Sequence, residues 1–126
     1  MGERGTTEKL NKRAKGKFYE ERAAEYLQRQ GMKILCRNFR CRQGEIDLVG
    51  MHQGTLVFVE VKFRQTSECG KPEEAVDEHK QKRICRTAAY YVHTHPFFMQ
   101  NSVRYDVVAM EKEEIRWYPA AFEHKT

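Results

Sequence analysis

The sequence of 126 residues lacks any long apolar run, and it has only three prolines and four cysteines. No stretch approaches the length needed to span a membrane, and the basic residues 1–17 include no apolar segment of the kind found in secretory signals. We therefore expect a cytoplasmic protein without a membrane partner. A content of 40% hydrophobic and 33% charged residues argues against disorder and is typical of one folded domain.

The cysteines form no recognisable metal-binding motif. Cys36 and Cys41 are separated by four residues, which is wider than the usual step between zinc ligands, and the sequence contains no CxxC. Without a secretory signal, free thiols are the better interpretation of all four, and a structural zinc site is the less favoured alternative.

Positive charge is concentrated in the N-terminal third of the chain. Residues 1–42 carry 12 Lys and Arg against 5 Asp and Glu, whereas the remaining residues carry 11 against 13, and the net charge is +5. A basic segment beside an acidic centre fits a polyanion held near a metal-binding carboxylate cluster. A solvated basic helix and tail would give the same balance, so charge alone does not choose between these alternatives.

The spacing of the apolar residues predicts an α/β fold. After a flexible arm at residues 1–10, we expect a helix from about residue 8 to residue 30, ended by Gly31. A second helix is expected from Pro72 to about residue 94. Strands are expected at residues 32–39, 45–50, 56–63, 103–110 and 115–118. The order α-β-β-β-α-β-β predicts a mixed sheet flanked by helices, in one domain at residues 11–120 followed by a tail at 121–126.

Charged residues interrupt the two central strands, in the stretch GEIDLVGMHQGTLVFVEVKFR. Strand alternation places Glu60 and Lys62 on one face of the second of these strands, opposite a face of valines. A two-residue turn at Gln53–Gly54, in which glycine supplies a positive φ, would place Asp47 opposite Glu60 and Glu45 opposite Lys62. Two opposed carboxylates repel each other, and a cation between them or a shared proton relieves that repulsion.

These residue types indicate one kind of chemistry. Two carboxylates, water and a phosphate oxygen are the ligands that Mg²⁺ prefers, and a lysine on the same face can stabilise phosphate charge or help to generate the attacking hydroxide. Glu20, at the edge of the buried stripe of the first helix, is a third inward carboxylate. The residues therefore suggest metal-assisted phosphodiester hydrolysis. The alternative is an exposed sheet face with ordinary salt bridges such as Glu45–Lys62.

Four blocks between residues 16 and 110 resemble the YraN-like family of small bacterial proteins. They are GKFYEERAAEYLQRQG, RNFRCRQGEIDLV, LVFVEVKFR and VRYDVVAM. Within them, an aspartate followed after a hairpin by Glu-Val-Lys resembles the PD-(D/E)xK core of type II restriction endonucleases and archaeal Holliday-junction resolvases. The resemblance implies a restriction-endonuclease-like fold.

The same resemblance implies roles for individual residues. Asp47, Glu60 and Glu20, with the backbone carbonyl of Val61, would hold Mg²⁺ or Mn²⁺, and Lys62 would be the catalytic lysine. Glu45 lies in the block RNFRCRQGEIDLV, which also contains Asp47, and it would hold Lys62 or touch the site directly.

Five basic residues are candidate contacts to a nucleic-acid backbone. They are Arg37, Arg40 and Arg42 before the second strand, Arg64 after the third strand, and Lys80 in the apolar stripe of the second helix. Solvated arginines, and a lysine whose stem covers core surface, are the alternative interpretations.

The function expected from these observations is a metal-dependent endonuclease, with DNA favoured over RNA as the partner. Branched or damaged DNA are candidate substrates, and a homodimer would suit a branched junction. A non-catalytic nucleic-acid-binding module of the same fold and an RNA-directed nuclease are the alternatives, because no motif in the sequence separates DNA from RNA.

Overall fold

The computed structural model describes the backbone of residues 2–64, 76–111 and 114–126, and the side chains of the same residues except 2–13 and 64. Within this described part of the chain, two helices and five strands follow one another in the predicted order α-β-β-β-α-β-β. They are α1 (Gly2–Arg29), β1 (Lys33–Cys41), β2 (Gly44–His52), β3 (Thr55–Arg64), α2 (Glu78–Thr94), β4 (Ser102–Glu111) and β5 (Glu114–Phe122), with one 3₁₀ turn at Pro96–Phe98 after α2.

The strands form a single sheet in the order β1-β2-β3-β4-β5. Three of the four neighbouring pairs are antiparallel, and β3 and β4 run parallel from Thr55 beside Ser102 to Arg64 beside Glu111. A parallel pair requires a crossover connection, and α2 lies within that crossover. The predicted α/β class and mixed sheet are therefore confirmed.

The sheet has a helix on each face, and each helix buries one apolar stripe. On one face, α1 contributes Ala23, Ala24 and Leu27 to a core cluster with valines of β3. On the other face, α2 contributes Ile84, Ala88 and Tyr91 to a second cluster that includes Phe58. Because successive strand side chains point to opposite faces, β3 supplies both clusters along most of its length. Glu60 lies in this strand at the point where apolar packing gives way to charge.

The ends of several elements differ from the predicted ends. Helix α1 begins at Gly2, so it covers the backbone of the segment expected to be an arm; no proline interrupts it, and a nucleated helix extends at little cost. Gly31 has the expected positive φ, +96°. Strand β5 reaches Phe122, and the Tyr105 hydroxyl lies 2.5 Å from Nδ1 of His124, so part of the expected tail packs on the sheet.

The start of the second helix is only partly described. Its predicted first residue, Pro72, lies outside the described residues. The described helix α2 begins at Glu78, and the side chain of Asp77 caps it by accepting a hydrogen bond from the Lys80 backbone N–H at 2.8 Å.

Two further observations bear on the sequence predictions. Cys36, Cys41 and Cys85 are free thiols, as expected, whereas Cys69 lies outside the described residues. Among the helices that the structure describes, none combines the length and apolar character that crossing a membrane demands.

Asp106 of β4 is fully buried and has a structural role. Its carboxylate accepts hydrogen bonds from Nε and Nη2 of Arg104, from Nε1 of Trp117 and from the N–H of Ala120, all at 2.8–2.9 Å. This network joins β4 to β5 where their register shifts, after Tyr105. Hydrogen bonds from these donors compensate for the burial of the carboxylate, so the contacts of Asp106 serve to hold the two strands together.

Candidate active site

The β2–β3 hairpin has the predicted turn. Gln53 and Gly54 have φ of +50° and +80°, the combination required at both central residues of a type I′ turn. Backbone pairing then runs from His52 beside Thr55 down to Leu48 beside Val59, in the predicted register.

The pairing of the two strands ends one residue before the predicted site. Asp47 does not pair with the backbone of β3; instead its Oδ2 accepts a hydrogen bond from the N–H of Val61 at 2.8 Å. The predicted cross-strand pairs Asp47–Glu60 and Glu45–Lys62 are therefore wrong as ladder pairs. The physical reason is that the Asp47 carboxylate takes the amide that a backbone carbonyl of β2 would otherwise use.

The Asp47 and Glu60 carboxyl groups nevertheless meet, since the two side chains lie within hydrogen-bonding reach of each other. Burial and then the charge of Glu60 raise the pKa of Asp47 to about 8, against the opposing effect of the hydrogen bond from Val61. Near neutral pH, Asp47 therefore retains a proton in the absence of a cation. From the sequence, a cation or a shared proton is expected to relieve the repulsion between two crowded carboxylates. The retained proton agrees with the second of these, although Asp47 and Glu60 are not a cross-strand ladder pair.

Glu20 of α1 joins the same group from the opposite side. It is half-buried and lies within hydrogen-bonding reach of both Asp47 and Asn38. Burial and the charges of Glu45 and Glu60 raise the pKa of Glu20, although the hydrogen bond from Asn38 opposes the shift.

Asn38 was not expected from the sequence. It is a strand residue with φ of +54°, a left-handed conformation that asparagine tolerates better than most residues. That conformation directs its side chain to Glu20, so an asparagine in a strand before a candidate site was the signal that could have identified it.

The lysine that contacts the carboxylates, Lys80, lies on α2. Nζ of Lys80 lies 2.5 Å from Oε1 of Glu60, whose side chain is only 9% exposed. Burial lowers the pKa of Lys80, but its hydrogen bond to Glu60 and the charges of Glu60 and Asp47 outweigh burial, so the pKa is raised and the ammonium is retained. Lys62, the lysine predicted for catalysis, is half-buried and forms no ion pair with any residue that the structure describes.

Two cavities open beside these residues. The first, of about 260 Å³, is lined by Glu45, Asp47, Glu60, Lys80, Arg83 and Ile84. The second, of about 500 Å³, is lined by Gly16, Lys17, Glu20, Asn38, Arg40 and Glu45. Glu45 lines both, and it forms an ion pair with Arg40 at 3.2 Å rather than holding Lys62. Its exposed position, between the two cavities, fits a residue that touches the site directly.

Three of the other basic candidates lie on β1 or directly after it, and the fourth is the last residue of β3. Arg37 is paired with Glu21 of α1, and Arg40 with Glu45. Arg42 is exposed in the β1–β2 turn and has no ion pair within the described part of the chain. The side chain of Arg64 lies outside the described residues.

The donor chemistry of the site suits a hard divalent cation. Asp47, Glu60 and Glu20 offer only carboxylate oxygens, the ligand type that Mg²⁺ and Mn²⁺ prefer. In residues 2–64, 76–111 and 114–126, however, no three Asp, Glu, His or Cys side chains are already arranged around one point as a metal ligand set. The residues therefore fit the cation by type, and a cation at Glu60 would compete with the Lys80 ammonium for this carboxylate.

Comparison with known proteins gives the following likenesses. Chains called UPF0102 protein from Lachnoclostridium phytofermentans and Alcanivorax borkumensis are 50% and 40% identical to this chain. The first alignment covers 90% of this chain and 97% of the relative, and the second covers 89% and 94%. Among solved structures, this chain is similar to the crystal structure of a repair endonuclease from Pyrococcus abyssi, with a TM-score of 0.36 and 25% identity. That match covers 66% of this chain and 31% of the other, and so remote a likeness carries no argument about function.

The match to a family model covers most of the described domain. Residues 19–110, from the half-buried Tyr19 of α1 to the last buried methionine of β4, match the model described as uncharacterised protein family UPF0102. That range contains all four carboxylates of the two cavities. The chain therefore belongs to the UPF0102 family.

Proposed function

We propose that this protein is a metal-dependent nuclease that hydrolyses phosphodiester bonds, with DNA as its substrate. The observation that carries the proposal is the meeting of the Asp47, Glu60 and Glu20 carboxyl groups just beyond the last β2–β3 backbone pair, with the pKa of Asp47 raised to about 8. Crowded, buried carboxylates are unfavourable without a cation, and strongly shifted pKa values in a cavity are typical of functional sites.

Each residue of the site has a proposed part. Asp47, Glu60 and Glu20, with the backbone carbonyl of Val61, would hold Mg²⁺ or Mn²⁺, and Glu45 would support them from the shared wall of the two cavities. A bound cation of this type supplies Lewis-acid stabilisation of phosphate charge and a more acidic water.

Two lysines are candidates for stabilising the phosphate. Lys80 lines the cavity, and its ammonium would be able to contact a phosphate oxygen if Glu60 held a cation. We keep Lys62 as the proposed catalytic lysine because it occupies the lysine position of the motif that resembles PD-(D/E)xK, two residues after Glu60.

The test is a panel of labelled substrates incubated with Mg²⁺, Mn²⁺ or EDTA. The panel contains linear duplex, single-stranded, nicked and branched DNA, and RNA of the same sequence. We expect cleavage only with metal, and we expect it to be lost in Asp47→Asn. Lys62→Ala and Lys80→Met then show which lysine the reaction needs. Cleavage in EDTA, or cleavage that survives Asp47→Asn, would contradict the mechanism.

A non-catalytic nucleic-acid-binding module is the second candidate. The observation in its favour is that Lys80 neutralises Glu60 directly, so that the carboxylates need no metal for partial compensation. Isothermal titration calorimetry with Mn²⁺ separates the two: a module of this kind binds nucleic acid without measurable metal affinity. A homodimer, which would suit a branched substrate, is checked by sedimentation velocity on the same samples.

A further inference from the structure

One face of α2 connects the candidate active site to a third cavity. Arg83, Arg86, Tyr90 and His93 follow one another at steps of three, four and three residues, the spacing that places side chains on the same face of a helix. We call these four residues the α2 strip. Arg83 lines the active-site cavity beside Lys80, whereas the other three line a shallow cavity of about 420 Å³ further along the helix.

Between the active-site cavity and the third cavity, Gly44 at the end of the β1–β2 turn lies close to α2. At Gly44, φ is +152° and an added Cβ would lie 2.9 Å from Oγ1 of Thr87, so this position accepts only glycine without rearrangement. On either side of this contact, Glu45 lines the active-site cavity and Gln43 lines the third cavity. The turn and the helix therefore form one wall along which a linear ligand can extend from one cavity to the other.

The charge of this wall favours a polyanion. From His79 to His95 the sequence contains no acidic residue. Arg83 and Arg86 are exposed, and neither forms an ion pair with another described side chain, in contrast to Arg37 and Arg40 of β1, which are paired with glutamates. Unpaired, exposed arginines are available for phosphate groups without the cost of breaking an existing pair.

Tyr90 adds an aromatic surface to the basic wall. Its side chain is 44% exposed, and its ring lies 6.3 Å from the ring of Phe39, which packs edge-on against the buried Tyr91 at 5.0 Å. One side of Tyr90 is thus supported by the protein while the other faces the third cavity. A supported aromatic ring beside arginines is the arrangement that binds single-stranded nucleic acid, by stacking bases and contacting phosphates.

We infer that the α2 strip binds a single-stranded segment of the nucleic acid that enters the active site. Phosphates lie along Arg83 and Arg86, and a base stacks on Tyr90 beside His93. From Lys80 to Tyr90 the helix rises about 15 Å, the span of a few nucleotides. This inference rests on the proposed function and adds to it the substrate class: a DNA strand that is unpaired next to the cleaved bond.

The experiment is a binding titration by fluorescence anisotropy in EDTA, so that no metal-dependent cleavage occurs. Labelled single-stranded DNA, single-stranded RNA and blunt duplex DNA of one sequence are titrated at several salt concentrations. The variants are Tyr90→Ala, Tyr90→Phe and Arg86→Ala. The matched controls are Phe97→Ala and Arg116→Ala, which remove an exposed aromatic ring and an exposed arginine outside the α2 strip.

Each variant has a distinct expected result. Tyr90→Ala weakens single-strand binding roughly five- to hundredfold and leaves the slope of log affinity against log salt unchanged, because stacking releases no counterion. Tyr90→Phe binds as the wild type does. Arg86→Ala lowers the magnitude of that slope by about 0.7, the value for one phosphate contact on a single strand. The two control variants bind as the wild type does, and the preferred sugar follows from the DNA and RNA titrations.

Failure of this inference is separable from failure of the proposed function. If Tyr90→Ala and Arg86→Ala bind every oligonucleotide as the wild type does, the α2 strip is not a binding site, even where the wild type cleaves DNA with Mn²⁺. If Tyr90→Ala weakens duplex and single-strand binding equally, the single-strand assignment is wrong. If the wild type neither binds nor cleaves any nucleic acid, both proposals fall.

Discussion

Replacing Asp47 by asparagine should stabilise the metal-free protein, although it removes a proposed metal ligand. In the unfolded chain this carboxyl ionises near its ordinary pKa of 3.8, whereas in the folded protein burial and the charge of Glu60 raise its pKa to about 8. Between these two values the folded state holds a proton that the unfolded state has released, so the free energy of unfolding falls as pH rises from about 4 to about 8. Above pH 8 the cost is constant, and below pH 4 it disappears.

The size of this cost follows from the pKa shift. Each unit corresponds to about 1.4 kcal/mol, which sets a ceiling of about 6 kcal/mol. Asp47 and Glu60 share one repulsion and Lys80 already compensates part of it, so we expect Asp47→Asn to recover about 1–3 kcal/mol at pH 8. Asparagine keeps an oxygen to accept the hydrogen bond from the Val61 N–H. At roughly 4 °C per kcal/mol for a domain of this size, the melting temperature in EDTA should rise by about 4–12 °C.

The assay is thermal unfolding in EDTA at intervals from pH 4.5 to pH 8.5, with Asp106→Asn as the matched control. The gain in Asp47→Asn should be small at the acid end and should grow up to pH 8. Asp106→Asn should lower the melting temperature at every pH, by the equivalent of about 3 kcal/mol or more, because it breaks a buried pair with Arg104. A difference between Asp47→Asn and the wild type that does not change with pH, or a loss of stability at pH 8, would refute the reasoning.

Three further predictions concern the neighbours of Asp47. Because the pKa of Asp47 is about 8, a cation that binds to this carboxyl group at pH 7 must displace a proton. Mn²⁺ affinity measured by calorimetry should therefore rise about tenfold per pH unit and level off near pH 8. An affinity that does not change with pH would contradict this. Lys80→Met should lower the melting temperature in EDTA but raise Mn²⁺ affinity, since the Lys80 ammonium competes with the cation for Glu60. The control is Lys82→Met, which removes an exposed ion pair at 4.0 Å on the same helix and should change neither quantity. Equal effects of the two variants would contradict the competition. Gly44→Ala should cost about 1–3 kcal/mol in chemical denaturation because of its positive φ and the short distance to Thr87, and an unchanged midpoint would show that the turn can move.

Local patterns in the sequence were sufficient to predict the elements that form the site. The turn at Gln53–Gly54 depends on two adjacent residues, and Glu20 lies where the 3.6-residue period of α1 places it. The valine face of β3 follows from strict alternation, and the structure packs this face against α1. In each case the cause is a short segment whose own residues determine its conformation.

The details of the site depended on how separate elements pack against each other, which no local pattern records. The end of the β2–β3 ladder follows from the competition of the Asp47 side chain for a backbone amide. The contact of Lys80 with Glu60 depends on where α2 crosses the sheet, and this also explains why the lysine that touches the carboxylates is not the one beside Glu60 in the sequence. Asn38 acts through a backbone conformation that few strand residues adopt.

The arrangement of the four carboxylates gives the site a defined response to a cation. Without metal, three features limit the repulsion: Asp47 keeps a proton, Glu60 is paired with Lys80, and Glu45 is paired with Arg40. A divalent cation held by these carboxylates would displace the proton of Asp47 and weaken the pairing of Glu60 with Lys80, so its binding free energy would be reduced by both costs. The Lys80 ammonium would then face the cavity that Arg83 also lines. The Lys80 ammonium would thereby become available to a phosphate beside the α2 strip while the cation neutralises the carboxylates. Metal and a nucleic-acid strand should therefore bind with positive coupling, and Mn²⁺ affinity measured with and without a single-stranded oligonucleotide should differ in that direction. Equal affinities in the two measurements would show that the carboxylates and the strip act independently.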